Sequence, residues 1–284
     1  VTSGEEGKVK LWKKNGKKIR EIQAYPANIK INSIRFNSEG NKLAIAGKRG
    51  DAQIRNIEGK LLHTIHTNSV NGVRNIRFGH NEESNLLITS GYDGSVKLWN
   101  EKGTFRRELS DKNINEQIKL AHLGGIEVVN ISKDDKQILT GGRDKLAKLW
   151  DIDGTLKAEF MGHTRTIKSA RFHPDGKSIV TAGEDDTIRI WSRKGKFKFL
   201  IQGNQKGINA VDFYSGQIAG IDKEGDFNSY KLISAGNDGT IKVWDFRGKL
   251  LDEFKAHEGR IETIRVNSDQ TLVTAGQEDG IVKT

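Results

Sequence analysis

The sequence predicts an all-β fold: a β-propeller of four-stranded antiparallel blades, with seven blades of which the first and last are incomplete. Three observations predict this fold. A phrase that ends in Trp recurs along the 284 residues, the copies are spaced by about forty to fifty residues, and each repeat contains short β-forming runs between tight turns. No segment shows a sustained helical period, which agrees with an all-β fold.

The repeated phrase combines a strand of small residues, a tight acidic turn and an alternating strand that ends in Trp. Its clearest copy, residues 88–99, reads ITSGYDGSVKLW, and further copies lie at 1–12, 139–150, 180–191 and 233–244. The Trp position falls at residues 12, 55, 99, 150, 191 and 244, at intervals of 43, 44, 51, 41 and 53. This period is typical of propeller blades rather than of helical arrays.

Each repeat contains four short runs with the composition of β-strands. In the best-formed repeat these are Ile167–Phe172, Ser178–Ala182, Thr187–Trp191 and Phe197–Ile201, separated by turns rich in Gly and Asp. We expect an antiparallel meander in each repeat. A single sheet of this kind leaves two faces uncovered, and a ring of blades buries them by stacking sheet on sheet.

The ends of the chain fall inside repeats. Val1 lies in a second strand and Thr284 in a third strand. Two interpretations stay open: an excerpt of a longer repeat protein with seven blades, two of them incomplete, or a six-bladed ring in which both termini share one blade. We expect the first, with residues 1–284 forming a single propeller domain.

Composition excludes several classes of protein. The chain has no Cys, and hence neither disulfides nor thiol chemistry, and it has no apolar run of roughly 18 residues, as a membrane-spanning helix needs. We therefore expect a cytoplasmic protein without membrane attachment. The net charge of +10 is uneven, because residues 1–60 hold 14 Lys/Arg against 6 Asp/Glu.

Four motif positions carry a resemblance to the WD-repeat family of β-propellers. That family places Gly-His before the first strand of a blade, Ser or Thr in the second, Asp in the following turn and Trp in the third. Gly162, His163, Thr181, Asp185 and Trp191 match in this order. The resemblance covers the whole chain, and Gly-Lys-Leu-Leu before an outer strand is similar to bacterial, in particular cyanobacterial, WD-repeat arrays.

The resemblance implies a hydrogen-bond network inside each blade. Its residues are Thr89, Asp93, Trp99, His122, Thr140, Asp144, Trp150, His163, Thr181, Asp185, Trp191, Ser234, Asp238, Trp244, His257 and Thr274. The last repeat offers either Glu278 or Asp279 as its acid. In two repeats Asn204, and roughly Asn68 with Ser69, occupy the His position.

His, Ser/Thr and Asp are also the residues of a hydrolytic triad. A triad needs an exposed nucleophile and an oxyanion site, and an active site is normally single, whereas these residues recur in nearly every repeat. A carboxylate in a turn beneath a blade needs donors, which His, Thr and the indole N–H supply. We therefore expect a structural network, no enzymatic activity, no cofactor and no bound metal.

The second repeat departs from the pattern. Ala27 lies near the His position, Arg49 at the Asp position and Arg55 at the Trp position. We expect this blade to lack the network and to be the weakest internal blade. Two interpretations stay open, sequence drift and a specialised cationic binding blade.

The resemblance also implies a binding surface on the top face, at positions that flank the His site or precede the turn acid. These positions are Lys30, Asn32, Lys48, Arg74, Tyr92, Glu127, Arg143, Thr166, Lys168, Glu184, Asn209, Asn237, Arg260 and Glu262. Cations are commoner toward the N-terminal blades, which predicts a protein or peptide partner with an acidic patch. We expect a protein-interaction scaffold in regulation or complex assembly, monomeric as a domain.

Nucleic acid or another polyanion is the alternative partner, because the N-terminal blades are basic. Against it, many cations recur at one repeat position and are expected on solvated strand surfaces all around the ring, without aromatic stacking platforms between them. These cations are Lys10, Lys97, Lys148, Arg189 and Lys242.

Two insertions, residues 110–121 and 214–231, interrupt the repeat. The first joins two blades and is expected on the top face, and the second joins two strands of one blade and is expected on the bottom face. Binding often concentrates in long loops on a rigid scaffold. Tolerated surface elaboration explains both insertions equally well.

Overall fold

The computed structural model describes residues 1–13, 15–81, 84–111, 120–215, 230–267 and 271–283. These residues form 26 strands in seven antiparallel sheets, numbered here as blades 1 to 7 in chain order. Blades 2 to 6 have four strands and blades 1 and 7 have three, so the predicted all-β, seven-bladed propeller with incomplete first and last blades is confirmed. The chain divides into two compact units, residues 1–144 with 148–157, and residues 145–147 with 158–284.

The strands of blades 1 to 3 follow one another along the chain. Blade 1 contains β1 (Thr2–Ser3), β2 (Lys8–Trp12) and β3 (Lys18–Gln23); blade 2 contains β4 (Ile31–Phe36), β5 (Lys42–Gly47), β6 (Asp51–Asn56) and β7 (Leu61–His66); blade 3 contains β8 (Val73–Phe78), β9 (Leu86–Gly91), β10 (Val96–Asn100) and β11 (Phe105–Leu109).

The strands of blades 4 to 7 repeat this order. Blade 4 contains β12 (Ile126–Ile131), β13 (Gln137–Gly142), β14 (Ala147–Asp151) and β15 (Leu156–Phe160); blade 5 contains β16 (Ile167–Phe172), β17 (Ser178–Gly183), β18 (Thr187–Ser192) and β19 (Phe197–Gln202); blade 6 contains β20 (Ile208–Tyr214), β21 (Lys231–Gly236), β22 (Thr240–Trp244) and β23 (Leu250–Lys255); blade 7 contains β24 (Ile261–Val266), β25 (Leu272–Gly276) and β26 (Val282–Lys283).

Burial decreases from the second strand of a blade to its outer strand, and the sequence explains why. In blade 5 the second strand, SIVTAG, is buried at every residue, because its small and branched side chains pack well in a sheet interior. The outer strand, FKFLIQ, alternates with Lys and is mostly exposed. Each blade therefore has an apolar inner part and a solvated outer edge.

Adjacent blades within a unit pack face to face. In the first unit, Ile54 of β6, Ile76 of β8 and Leu87 of β9 belong to one fully buried cluster. In the second unit, Val180 of β17 and Val211 of β20 do the same. Burying one such side chain completely contributes about 1.5–3 kcal/mol, so this packing is the main favourable term in each unit.

Every described inner strand carries a β-bulge near its start. There the pairing with the second strand skips one residue, which leaves the extra side chain off the regular alternation. The skipped residues are Asn32, Arg74, Glu127, Lys168, Asn209 and Glu262. All six are positions that the sequence predicts for the binding surface on the top face, the end of each blade that carries the acidic turn.

The prediction that the cations two residues before the Trp lie on solvated surfaces is wrong for Lys148 and Lys242, which are buried. The segment that connects one blade to the next passes over this position and replaces water there. The Lys148 ammonium pairs with the Asp111 carboxylate, and both side chains are at most 2% exposed. Lys97 Nζ donates to the Thr67 carbonyl at 2.7 Å. Lys97 and Lys148 therefore bond to other groups of the protein. Such bonds, rather than exposure all around the ring, make them poor ligands for nucleic acid.

Blade 2 replaces the His by Tyr25, which lies two residues before Ala27, the residue that the sequence places near this position. The Tyr25 N–H donates to the Gly7 carbonyl at 3.1 Å, the main-chain bond that the His residues of blades 4 and 7 make with the turn glycine of the preceding blade. The buried Tyr25 hydroxyl lies 2.8 Å from the Asp51 carbonyl oxygen and 3.2 Å from the Ile45 carbonyl oxygen. Burial, with the nearby Asp51 charge, raises the pKa of Tyr25, so the hydroxyl stays a donor.

Arg55, at the Trp position of blade 2, is also held by polar contacts. Its guanidinium donates to Gln53 Oε1 at 2.8 Å and to the Gly59 carbonyl at 2.6 Å. A longer bond reaches the Ala24 carbonyl at 3.4 Å. Blade 2 thus lacks the four-residue network, as expected, but contains a polar network of its own. That it is the weakest internal blade stays a prediction.

Replacing Tyr25 by Phe should lower the free energy of unfolding by about 1–2 kcal/mol, because the Asp51 and Ile45 carbonyls lose the hydroxyl hydrogen that they share while the ring is kept. Urea denaturation followed by circular dichroism measures the loss. Tyr230→Phe, at a more exposed tyrosine, is the matched control and should change stability by less than about 0.5 kcal/mol. Equal losses in the two variants would show that the Tyr25 hydroxyl contributes nothing.

Candidate functional site

Blade 5 shows how the four motif residues meet. His163 precedes β16, Asp185 follows β17, and their side chains join with Nδ1–Oδ distances of 2.9 and 3.0 Å. His163 Nε2 lies 2.8 Å from the Thr181 hydroxyl. Trp191 Nε1 donates to the same hydroxyl at 2.9 Å. A proton on Nδ1 satisfies all of these bonds, since Nε2 then accepts from Thr181.

Blade 4 repeats this arrangement with its own residues. His122 Nδ1 lies 2.9 Å from Asp144 Oδ2, and Nε2 lies 2.6 Å from the Thr140 hydroxyl. The His122 N–H also donates to the carbonyl of Gly94, in the turn of blade 3, at 3.3 Å. A Cβ on Gly94, whose φ is +82°, would lie 2.3 Å from the His122 carbonyl oxygen. One residue thus ties two adjacent blades together, and the close approach requires glycine.

In blade 7 the acid is Asp279 rather than Glu278. Asp279 Oδ2 lies 2.6 Å from His257 Nδ1, and His257 Nε2 lies 2.9 Å from the Thr274 hydroxyl. The His257 N–H donates to the Gly239 carbonyl at 3.1 Å, as His122 does to its glycine. The same clasp therefore occurs in both units.

The bond from the Trp indole N–H to a Ser or Thr hydroxyl occurs in five blades, with Nε1–Oγ distances of 2.8–3.0 Å. The pairs are Trp12–Thr2, Trp99–Thr89, Trp150–Thr140, Trp191–Thr181 and Trp244–Ser234.

In blade 3 the shorter Ser69 takes the His position. Its hydroxyl donates to Asp93 Oδ2 at 2.8 Å and does not span the distance to Thr89 that an imidazole spans in blade 4. Asp93 is completed by the Ser95 hydroxyl at 2.6 Å and the Ser95 N–H at 3.1 Å. Burial works to raise the pKa of Asp93, but the bonds from Ser95 and Ser69 outweigh it and lower the pKa.

In blade 6 the His position is filled by Gln205, so its assignment to Asn204 is wrong by one residue. The fully buried Gln205 accepts from the Ser234 hydroxyl at 2.5 Å and donates to the Thr240 carbonyl at 2.9 Å. Asp238 accepts instead from the Thr240 hydroxyl at 2.6 Å. The loop between blades follows no period, which is why the alignment slipped here.

This network does not have the geometry of a catalytic site. The Thr181 hydroxyl, which faces His163 Nε2 as a nucleophile would, is fully buried and already bonded to His163 and Trp191. Burial works to raise the pKa of Asp185, but the hydrogen bonds from His163, the Thr164 N–H and other donors outweigh it and hold the pKa well below its ordinary value. The residues stabilise the blade rather than meet a substrate.

Four of the predicted surface positions of the first unit form one cluster. Arg74 and Arg143 both bind the Glu127 carboxylate, with Nη2–Oε2 of 2.9 Å and Nε–Oε1 of 2.8 Å. The Tyr92 ring lies near both guanidinium groups, 5.8 Å from that of Arg74 and 5.4 Å from that of Arg143. The Glu127 side chain is 3% exposed and that of Arg143 is 55% exposed. We call these four residues the Arg–Tyr cluster.

The remaining predicted positions of the first unit do not join this cluster through any contact that the described residues show. Lys30 Nζ pairs with Glu5 Oε1 at 3.1 Å, near blade 1. Asn32 Nδ2 donates to the Val73 carbonyl at 2.9 Å and so links blades 2 and 3. Lys48 is exposed.

In the second unit the predicted positions form three small polar groups. Lys168 Nζ lies 3.7 Å from Glu184 Oε1, and Thr166, nearby, accepts the Glu184 N–H with its carbonyl at 3.0 Å. Asn209 Nδ2 donates to Asn237 Oδ1 at 2.8 Å. In blade 7, Arg260 Nε binds Glu262 Oε1 at 2.9 Å. Each group pairs the bulged residue of an inner strand with a near neighbour.

Sequence reasoning treated Glu127 as one polar surface position among others and missed its central role. Strand alternation does not predict that Arg74 and Glu127 contact each other. Both residues lie in bulges, which shift their side chains off the regular alternation. All inner strands begin with Ile or Val and carry a second apolar residue three positions later. This spacing was the available signal, since it leaves the second residue outside the regular alternation.

The two insertions lie largely outside the described residues, which omit 112–119 and 216–229. In the described ranges, no group of three or more His, Asp or Glu side chains is placed to hold a metal ion. Nor does the described part of the chain contain a helix long and apolar enough to cross a bilayer.

Two protein-family models match this chain, and both describe WD40 repeats or domains. Residues 115–151, 154–192, 195–245 and 248–284 match the WD40 model, described as WD domain, G-beta repeat. Residues 1–120 match a second model, the WD40 domain of anaphase-promoting complex subunit 4. The four WD40 matches cover blades 4 to 7, and the second model covers blades 1 to 3.

Several curated proteins are similar to this chain. A serine-threonine kinase receptor-associated protein from Gallus gallus is 26% identical over 261 residues, which is 87% of this chain and 64% of that protein. The protein of the same name from Homo sapiens is 24% identical over 233 residues, again 64% of its length. The small ribosomal subunit protein RACK1 of Neurospora crassa is 32% identical over 78 residues, 28% of this chain and 22% of that protein. The chain thus spans less than two thirds of the length of these relatives.

Replacing Asp185 by Asn should lower the free energy of unfolding at pH 7 by about 1.5–3 kcal/mol, because a charge-assisted bond to His163 is lost. Since the folded-state pKa of Asp185 lies below its unfolded value, the wild-type advantage is present above about pH 4 and decreases as the pH falls further. Urea denaturation at pH 7 and pH 3 measures both effects. Asp252→Asn, at an exposed aspartate, is the control, and a pH-independent gap would contradict the assignment.

Proposed function

Because this chain belongs to the WD40 repeat family, we propose that it is a non-enzymatic protein-interaction scaffold that binds a partner protein or peptide on its top face. The observation that carries this proposal is the Arg–Tyr cluster of the first unit. Regulation or complex assembly is the corresponding role, with the domain acting as a monomer in the cytoplasm.

The cluster has the composition of a binding hot spot. Tyr and Arg are the side chains most enriched where interfaces concentrate their energy. Here Glu127 and the Tyr92 ring hold both guanidinium groups in place before any partner arrives. Ordering long side chains in advance reduces the entropy lost on binding.

The net charge of the Arg–Tyr cluster indicates which chemical group of a partner it would bind. Two guanidinium groups share the single carboxylate of Glu127, so the cluster keeps a net positive charge. Arg143 binds through Nε, and its side chain is more than half exposed. A carboxylate of the partner is the complementary group, since the planar fork of Arg matches it in two-point geometry.

Exposed apolar residues stand beside the cluster on the top face. Val70, four residues before Arg74, is 88% exposed, and Leu123, four residues before Glu127, is 60% exposed. The Leu123 N–H donates to Asp144, which directly follows Arg143. The partner we propose therefore carries an acidic side chain flanked by apolar ones, so that it covers these residues while it binds the arginines.

The names of the relatives agree with a role in assemblies. The Gallus gallus protein is named for its association with a serine-threonine kinase receptor, and the Neurospora crassa protein as part of the small ribosomal subunit. These named relatives are eukaryotic, and a bacterial origin of this chain stays a prediction. Polyanion binding through the basic N-terminal blades is the alternative, but Arg55 and Lys97 there are engaged with main-chain carbonyls.

Peptides selected on the full chain from a random display library should be rich in Asp or Glu next to apolar residues. Arg143→Gln should weaken their binding about tenfold, because one charge-assisted contact is lost, and Arg143→Glu should weaken it further. Affinity should also fall as salt rises. Isothermal titration calorimetry measures each of these effects.

Arg106→Glu is the matched control, because Arg106 is an exposed arginine on the outer strand of blade 3 in the same unit. Its affinity for the selected peptides should stay that of the wild type. Selected peptides that bind Arg143→Glu as tightly as the wild type would refute the site. Tight, salt-sensitive binding to a random DNA duplex with no peptide selected would favour the polyanion alternative.

A further inference from the structure

The turn after the second strand of blade 2 departs from the same turn in the other blades. It reads Gly-Lys-Arg-Gly over residues 47–50, and Arg49 stands where blades 3 to 6 have Asp. We propose that Lys48 and Arg49 bind a second acidic group of the partner. The partner then carries two acidic positions, one for this turn and one for the Arg–Tyr cluster. This inference rests on the proposed function and specifies the partner of the same top face.

In a regular blade the turn acid accepts bonds from fixed repeat positions. In blade 5 the acid, Asp185, accepts from His163 Nδ1 at 2.9 Å and from the Thr164 N–H at 2.8 Å. The Thr187 hydroxyl donates to it at 2.9 Å. The donors are thus the His position, the residue after it and the residue two after the acid. Loss of the acid alone would leave these donors without their acceptor, which is costly where they are covered.

In blade 2 the donors have changed together with the acid. The His position is Tyr25, whose hydroxyl lies against main-chain carbonyls instead. The next residue is Pro26, which has no N–H to donate. Two residues after Arg49 stands Asp51, a carboxylate where blades 3, 5 and 6 have the hydroxyl of Ser or Thr. Independent drift would have left one of these donors in place. The matched change instead indicates a blade specialised for cationic binding.

The change leaves two cations at the surface of the turn. Lys48 and Arg49 are both exposed, and no contact among the described residues pairs either of them with a carboxylate. The acid that follows them, Asp51, lies 3.3 Å from His66 Nδ1, and Glu5 of blade 1 is already paired with another lysine. A carboxylate of the partner is therefore the group that complements this turn.

The turn and the Arg–Tyr cluster are connected by one short loop. A Cβ on Gly72 would lie 2.7 Å from Lys48 Cα, so the loop of residues 69–72 packs directly on the turn of blade 2. Arg74 of the cluster follows Gly72 by two residues, and Val70, which is 88% exposed, belongs to the same loop. The partner that fits this surface is an extended segment with an apolar residue and two acidic ones.

The chemistry of the two cations suits a carboxylate on such a segment. The planar guanidinium of Arg49 matches a carboxylate in two-point geometry, and Lys48 adds a point charge on a flexible stem. When the cluster holds one acidic group, the second group stays close to the turn, so the two contacts strengthen each other. Loss of the charges of the turn should therefore weaken the partner about tenfold and make its binding less sensitive to salt.

Isothermal titration calorimetry with the selected peptides and the full chain tests this second contact. Lys48→Gln/Arg49→Gln should bind about tenfold more weakly than the wild type, since charge-assisted contacts are lost. Each acid of the peptide is then replaced in turn by its amide. The acid that contacts the turn is the one whose replacement weakens the wild type but not the double variant. Arg49→Glu should prefer a peptide with Lys in place of that acid.

The matched control is Lys60→Gln/Lys102→Gln, which removes two positive charges from exposed positions outside the turns after the second strands. It should keep the affinity of the wild type. Binding of Lys48→Gln/Arg49→Gln at wild-type affinity, while Arg143→Gln binds weakly, overturns this inference and leaves the proposed function intact. Wild-type affinity in both refutes both. An equal loss in the control would reveal only a long-range effect of charge and would also overturn the contact.

A second probe decides the matter if the library yields no peptide. Poly-L-glutamate should bind the wild type and the control alike, and should bind Lys48→Gln/Arg49→Gln more weakly. Equal binding of poly-L-glutamate by the two double variants overturns the site. A random DNA duplex that binds more tightly than any acidic peptide, and loses affinity in Lys48→Gln/Arg49→Gln, would overturn the assignment of this turn to a protein partner.

Discussion

A carboxylate in the tight turn after the second strand is the group on which the blades depend. Such a charge is costly beneath a sheet unless its oxygens are satisfied, and the imidazole of the connecting segment that precedes the blade satisfies it in blades 4, 5 and 7. The same His residues in blades 4 and 7 use their main-chain N–H to hold the preceding blade. The need to pair one acid therefore also sets the spacing between neighbouring sheets, which the apolar clusters then fill.

Each blade needs its buried polar groups to be hydrogen-bonded, but the residue that supplies the bond can differ. Ser69 reaches the acid of blade 3 directly, Gln205 bonds to the neighbouring hydroxyl in blade 6, and Tyr25 in blade 2 bonds to carbonyls where no acid is present. Each solution leaves the main-chain clasp or an equivalent in place. The blades can therefore differ in their buried polar groups while the packing of sheet on sheet is retained.

The sequence predicted the features that follow a period and missed those that do not. Strand order, blade number and the Trp position repeat along the chain, so they could be read directly. The loop between blades varies in length, so the His position of blade 6 was assigned to Asn204 instead of Gln205, and Tyr25 of blade 2 was missed. Strand alternation pointed Lys148 to solvent, but the connecting segment covers it and brings Asp111. The convergence of Arg74 and Arg143 on Glu127 depends on bulges, which alternation does not predict.

The bulge divides the residues of an inner strand into those that determine stability and one that can vary with the binding partner. The first and fourth residues of an inner strand are apolar and buried, so substitutions there change stability. The extra residue at the bulge lies outside the regular alternation, and Asn, Arg, Glu and Lys all occupy it in this one chain. The fold therefore accommodates different polar side chains at these positions. A duplicated repeat can therefore acquire a new partner through a single codon, while its core is inherited unchanged.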